Sequence, residues 1–190
     1  MTTTSAFGRQ PTKLDYASPT QFKFSIVKLP KVEFFVSSVN IPGISLGSDE
    51  QATPLLDLPY PGDKLTYGDL NMTFLVDENL ENYLILHNWI RALGTPDDTL
   101  ERRSYKLKMQ QEFGKDNNDL YADGTLMVLN SNFNHNFDVV FEDLMPIGLN
   151  ALEFNATVDG TEYAMAQVSF RYLAYEIRTK EDTKRNKQLD

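Results

Sequence analysis

The sequence predicts a mostly β, α+β fold: an antiparallel β-sheet or sandwich of six to seven strands with one inserted helix at about residues 79–93. Three observations carry that expectation. Between Tyr163 and Ile177, Ala164, Ala166, Val168, Phe170 and Tyr172 alternate with Met165, Gln167, Ser169, Arg171 and Leu173, the period-two signature of a strand with one buried face. The strongest helical window places apolar residues at helical spacing and closes at Gly94 and Pro96. Turn-forming Gly, Pro, Asn and Asp separate the remaining apolar runs. The chain has 190 residues, of which 41% are hydrophobic and 12% aromatic, enough for one domain with a substantial core.

Residues 1–20 read as an extended N-terminal arm, with Pro11 and Pro19 restricting their neighbours and no helical period. Phe22, Phe24 and Ile26 alternate with Gln21, Lys23 and Ser25 as a first strand. Leu29-Pro30-Lys31 makes a turn, and Val32–Val39 returns, giving an expected β-hairpin. Asn40-Ile41-Pro42-Gly43 breaks that strand. The loop 43–68 follows, carrying Pro54, Pro59, Pro61, Gly62 and Gly68 without periodicity. Structureless stretches beyond about 12–15 residues are uncommon in a compact domain unless they bind something. Leu46, Leu55, Leu56, Leu58, Tyr60 and Leu65 would be costly to leave in water, so this loop is expected to lie on another subunit.

Leu70, Met72, Phe74 and Val76 form the next strand. In the helix, Asp77 and Asn79 are candidate N-caps, and Glu78 and Glu81 put negative charge in the first turn. Leu86, Trp89, Ile90 and Leu93 share one helical spacing, and Leu80, Tyr83, Leu84 and His87 another, so the apolar surface is broader than a single stripe. The insertion 97–124 is polar and loop-like, with Ser104–Phe113 as a possible short helix or strand. Thr125–Leu129 restarts the sheet, Asn130–Asn136 is an Asn-rich turn, and Phe137–Leu144 pairs back before a corner at Pro146. Leu152–Val158 and a long strand over Tyr163–Ile177 complete the sheet, with Asp159-Gly160 as the turn between them. Strands commonly run about 5–6 residues, so the last one suggests pairing beyond one small sheet.

Eighteen basic residues against 27 acidic give a net charge of −9, which argues against a nucleic-acid binder that works by neutralising phosphates. The tail 178–190 runs the other way, with five basic and three acidic residues, leaving −11 for the rest. Cysteine is absent, excluding disulfides, thiolate catalysis and Cys-ligated metals. No window approaches the roughly 18 apolar residues of a membrane span, and the polar start lacks an apolar secretory segment. A protein made in a cytosol is the expectation.

Chemistry-bearing patterns are few. Gly43-Ile44-Ser45-Leu46-Gly47 matches G-x-S-x-G, where a nucleophilic serine sits on a strand-to-helix turn, but only seven residues separate Gly47 from the first residue after Thr53-Pro54, too few for the helix. His87 follows Ser45 in hydrolase order yet reads better as a surface or interface histidine, and His135 as an exposed residue of the Asn-rich turn. Asp116-Asn117-Asn118-Asp119 with Asp123-Gly124 misses calcium-loop spacing at Leu120. The sequons at Asn71 and Asn155 lie in expected strands. Glu142-Asp143, adjacent on a strand, point to opposite faces and do not converge on a substrate. No catalytic, metal or cofactor residue is assigned; a monomeric binding or serine-hydrolase-like domain is the lesser alternative.

The order of elements, and above all LNMTFLVDENLENYLILHNWIRALGTP from Leu70 to Pro96 and VVFEDLMPIGLNALEFNATVDGTEYAMAQVSFRYLAY from Val139 to Tyr175, resembles the tail-tube family of contractile-tailed bacteriophages over residues 20–177. The resemblance implies a non-enzymatic structural subunit of the inner tail tube, or a tube-initiator or baseplate-hub ring of the same fold, located in the virion and assembled in the host cytoplasm. It implies homo-hexameric rings whose sheets join into a ring-shaped β-barrel and stack around a channel, with tail sheath or baseplate proteins as further partners. DNA passes through without specific binding, and neither a cofactor nor a membrane is involved. The loop 43–68 would touch the next ring through Ile44, Leu46, Leu55, Leu56, Leu58 and Tyr60. The strand over 163–177 would form the seam within a ring through Val168, Phe170, Tyr172 and Tyr175, and 178–190 would be a charged C-terminal tail.

Overall fold

The computed structural model describes residues 20–27, 29, 32, 35–94, 100, 102–104, 107, 121–152, 154 and 163–179. The N-terminal arm short of Thr20, most of the insertion 97–124, the turn Asp159-Gly160 and the tail beyond Thr179 lie outside these residues. Nine strands are described, β1 (Phe22–Ile26), β2 (Val36–Val39), β3 (Ile44–Gln51), β4 (Leu58–Tyr67), β5 (Leu70–Leu75), β6 (Ala122–Leu129), β7 (His135–Leu149), β8 (Met165–Arg171) and β9 (Ala174–Thr179), with helix α1 (Glu81–Gly94) between β5 and β6. Seven of them form one antiparallel sheet in the order β1-β6-β7-β8-β5-β2, with β9 also on β7; β3 and β4 pair with each other. The mostly β fold with an inserted helix is therefore the one the alternation predicted, although no single chain closes into a barrel.

Strand β7 organises the sheet. Its first half pairs with β6 on one edge and β9 on the other, from Phe137↔Thr179 to Glu142↔Ala174, and its second half pairs with β8, from Met145↔Arg171 to Leu149↔Val168. Each step forward along β7 thus moves back along β9 and then β8. The long strand expected over 163–177 is this ribbon, broken into two strands at Tyr172-Leu173, where the Leu173 amide donates to the Glu142 carbonyl at 3.0 Å. Opposite the break, Asp143 has φ 54°. Burial on β7 falls on Val139 and Phe141, then on Leu144 and Pro146. One extra residue in the pleat has switched which parity faces the core, the effect of a bulge. Pro146, expected to turn a corner, stays within the strand at a second irregularity, between Pro146 and Gly148, where its missing N–H is tolerated.

The core joins both halves of the sheet to the helix. Met72 and Phe74 of β5, Ala166, Val168 and Phe170 of β8, and Val139 and Phe141 of β7 are buried, with Phe24 edge-on to Phe141 at 6.4 Å between ring centroids. Helix α1 seats Leu86 and Trp89 there, with Trp89 against Phe170 at 6.2 Å. Its buried face also carries Asn82 and Ala92, which the sequence pattern did not assign to the core. The Asn82 side chain donates to the Leu75 carbonyl at 2.8 Å and accepts from the Asp77 amide at 3.2 Å, satisfying the buried amide and fastening the end of β5 to the helix. The junction differs from the capping expected at Asp77 or Asn79: a turn closes through the Leu80 amide and Asp77 carbonyl at 2.8 Å, and Leu80, at φ 58°, precedes the first helical residue.

Four further expectations are corrected. β1 and β2 do not form a hairpin: β1 pairs with β6 and β2 with β5. Three successive turn bonds, Leu29 N to Ile26 O, Val32 N to Leu29 O and Phe35 N to Val32 O, at 2.9–3.1 Å, separate them, and this winding drops Leu29 and Val32 into the core instead of continuing a pleat. The segment 43–68 is not structureless but is the hairpin β3–β4. Its prolines are accommodated because a two-stranded ribbon has no interior strand: Pro59 and Pro61 lie opposite Glu50 and Ser48 on a strand with one free edge. β6 begins at Ala122, three residues before the expected start. Leu152 and Phe154 are not in a strand, and the remainder of the strand expected over Leu152–Val158 lies outside the described residues.

Candidate assembly interface

The hairpin β3–β4 stands apart from the sheet. All eight residues of β3 are exposed, and of β4 only Gly62 and Tyr67 are partly covered. At its base Ile44 faces Tyr67 and Leu46 faces Leu65, whereas Ser45 and Thr66 share the other face. An irregularity then separates Leu46/Leu65 from Ser48/Pro61, and here the two backbones crowd: a Cβ on Gly62 would lie 2.8 Å from the Gly47 oxygen and 2.9 Å from its carbonyl carbon. Only glycine fits that approach. At the tip, the Thr53 hydroxyl and the Leu56 amide meet at 3.3 Å, folding the connection so that Leu55 is 98% and Leu56 69% exposed.

The structure therefore gathers Ile44, Leu46, Leu55, Leu56, Leu58 and Tyr60 on one projecting element, each at least 43% exposed. Burying a leucine side chain is worth about 1.5–3 kcal/mol, so this much apolar surface is a strong drive toward a partner. A lone two-stranded hairpin is marginal in water by itself.

What holds the hairpin is its neck. Gly68 donates to the Gly43 carbonyl at 2.9 Å, and Asn40 bridges to β5, accepting from the Asn71 amide at 2.6 Å and donating to the Asp69 carbonyl at 3.2 Å. Two tyrosines at the junction of β8 and β9 reach the neck: the Tyr172 hydroxyl donates to the Gly68 carbonyl at 2.9 Å and the Tyr175 hydroxyl to the Pro42 carbonyl at 3.2 Å. Their rings close a cluster with Tyr67 and Phe141, with centroids 5.2–5.9 Å apart. Burial, then the neighbouring Tyr175, Tyr67 and Asp69, push the Tyr172 hydroxyl up to about 12, keeping it a neutral donor. The Arg171 guanidinium meets Asp69 at 3.3 Å on the exposed rim.

The four residues expected at a seam separate into two kinds. Val168 and Phe170 are fully buried, and at these two residues β8 is flanked by β5 on one edge and by β7 on the other. Tyr172 and Tyr175 anchor the hairpin neck. Among the described strands, β9 pairs with β7 alone and β1 and β2 end the sheet, so these are the edges left for a neighbour. The sequence signal for the neck was weak, since Tyr67, Asn40 and Asp69 contact their partners across more than 28 positions.

The residues singled out for chemistry do not assemble. Ser45 lies on a strand that runs on to Gln51, with its hydroxyl toward the Thr66 carbonyl at 3.3 Å, not on a strand-to-helix turn. His87 is exposed on α1, stacked on Tyr83. His135, expected to be exposed, is half-buried and meets Asp138 at 2.7 Å at the start of β7. Among the described residues, no helix is long and apolar enough to cross a membrane.

A family model described as phage tail tube protein matches residues 8–178. No curated protein sequence matches the chain. Among solved structures, it is similar to the tube-terminating cap of the anti-feeding prophage, with 14% identity over 92% of this chain and 99% of that one and a TM-score of 0.61. It is also similar to a chain of the sheath/tube terminator of the PVC extracellular contractile injection system in the extended state, with 16% identity over 88% and 100% of the two chains and a TM-score of 0.58. A chain of the anti-feeding prophage baseplate matches at 12% identity, 87% and 97% coverage and a TM-score of 0.55. At these identities the likeness is one of fold.

Proposed function

The chain belongs to the phage tail tube protein family, with a structural role related to the tail tube, and from that premise we propose that it is a subunit of the inner tube that forms homo-hexameric rings stacked around a DNA-conducting channel. The observation that carries this is the hairpin β3–β4, held at its neck, whose apolar residues Ile44, Leu46, Leu55, Leu56, Leu58, Tyr60 and Leu65 all stand exposed. Its tip, with Leu55 and Leu56, docks on the next ring. Ring closure uses the sheet edges left open at β9 and at β1 or β2, which turns an aggregation hazard into the joint between subunits and closes the sheets into a barrel. The net charge of −9 suits a conduit that must not retain a polyanion. Tail sheath or baseplate proteins cover the outside of the tube, the finished assembly is part of the virion, and no catalytic step is involved.

Deleting residues 45–66 tests this. Because β3 and β4 pair only with each other, the deletion leaves the body folded and abolishes stacking, seen as loss of tubes with a retained thermal transition. Unfolding of the shortened chain would place the hairpin in the core, and a full chain that stays monomeric at high concentration in sedimentation would contradict ring formation. Long tubes identify a self-stacking subunit, whereas isolated rings identify a tube-initiating or baseplate ring.

A further inference from the structure

The two outward faces of the sheet differ in charge. On the half formed by β1, β6, the start of β7 and β9, the cross-strand row Lys23↔Met127↔Asp138↔Arg178 lies beside Ser25↔Thr125↔Val140↔Glu176, so ionised groups of both signs stand on that face. On the half formed by β2, β5 and β8, the outward positions are Ser38↔Thr73↔Gln167 and, one step on, Asn71↔Ser169. All are uncharged. Two side-chain bonds run along the face: the Ser169 hydroxyl donates to the Asn71 side-chain oxygen at 2.7 Å, and Asn150, just after β7, donates to the Gln167 side-chain oxygen at 3.2 Å. The reverse face of the same strands is core, with Met72, Phe74, Ala166, Val168 and Phe170 buried. The charged border is the Arg171–Asp69 pair, which is self-neutralised, and the other border is Leu75 opposite Met165.

We propose that this face, Ser38, Asn71, Thr73, Asn150, Gln167 and Ser169, is the wall of the channel, and that it lets a nucleic acid slide because its polar side chains carry no fixed charge. The inference rests on the tube reading above. A polyanion is held by cations that displace its counterions, and a wall without cations gives it no such site. The neutral hydroxyls and amides make only weak, uncharged hydrogen bonds to a passing phosphate or base, and they keep the surface wetted where an apolar wall would not be. The other face carries Lys23 and Arg178 together with Asp138 and Glu176, Arg178 meeting Glu176 at 2.7 Å, so it presents fixed charges where the β2–β5–β8 face presents none.

The chain has no cysteine, so single thiols report accessibility directly. In assembled tubes of Thr73→Cys or Gln167→Cys, a small cationic methanethiosulfonate reacts, while a polyethylene-glycol maleimide too wide for the channel does not; both react with dissociated subunits. Lys23→Cys, on the charged face, reacts with both reagents in the tube. Tubes whose Thr73→Cys carries the cationic adduct retain a short DNA duplex at low salt and release it as salt rises, and unmodified tubes do not retain it. Labelling of Thr73→Cys and Gln167→Cys in the tube by the wide reagent would overturn the assignment while leaving the tube intact. Failure of the small reagent would equally overturn it, by placing the face in a contact. Absence of rings in electron micrographs would overturn both this inference and the tube reading.

Discussion

Replacing Tyr172 and Tyr175 together by Phe removes the two hydroxyls that hold the hairpin neck and leaves the aromatic cluster in place. The bonds lost are 2.9 Å to the Gly68 carbonyl and 3.2 Å to the Pro42 carbonyl. A protein hydrogen bond contributes about 0.5–1.5 kcal/mol net, so the double variant loses about 1–3 kcal/mol, felt where the hairpin joins the body. At about 1.4 kcal/mol per decade, local opening of the neck rises by roughly fivefold to a hundredfold. Native-state hydrogen exchange reads this directly at the Gly68 amide, which is bonded to Gly43 across the neck. Amides of β5 and β8, held in their own antiparallel ladder, keep their protection. Unchanged exchange at Gly68 would refute the anchoring role. A uniform loss over the whole sheet would refute it too, because the hydroxyls would then be supporting the core.

Four other outcomes follow from the same geometry. Leu55→Ser with Leu56→Ser removes about 3–6 kcal/mol of burial per ring contact if the tip is docked, so tubes disassemble while urea denaturation of the subunit moves by less than about 0.5 kcal/mol. Gly62→Ala drives a methyl into the Gly47 backbone and costs about 1–3 kcal/mol in the hairpin, seen as faster exchange of its amides and weaker stacking. Trp89→Ala empties the site against Phe170 and costs about 3–5 kcal/mol in denaturant unfolding of the whole subunit. For Tyr172, the folded value of about 12 lies above the ordinary value of 10.0, so its contribution is complete below pH 10 and is lost as pH rises toward 12. An alkaline titration should therefore loosen the neck in that window in the wild type and not in Tyr172→Phe.

Where local pattern and environment agree, the sequence was legible. β5 buries Leu70, Met72 and Phe74, and β8 buries Ala166, Val168 and Phe170, as alternation requires, and the helix lies within two residues of its expected start. The apolar residues of 43–68 stand out in the sequence and are exposed in the structure, yet their hairpin was hidden because Pro59 and Pro61 read as breakers in any strand but one with a free edge. Pairing at long range was not legible: Phe24 opposite Leu126 is set by burial in the assembled core, not by the nearby turn at Leu29. The phase change at Asp143 was invisible for a related reason, since one extra residue leaves composition untouched but exchanges the two faces of β7. At Val168 and Phe170 the length of the strand does not translate into an open edge, since β5 and β7 flank β8 there, whereas β9, the rest of the same ribbon, pairs with β7 alone among the described strands.

Electron microscopy of the purified full chain tests the central claim most directly. Ring-shaped end views with sixfold symmetry, stacked into hollow tubes in which density for Leu55 and Leu56 of one ring enters the adjacent ring, are the predicted result. A monodisperse monomer, or rings in which the β3–β4 hairpin folds back on its own subunit, would contradict it.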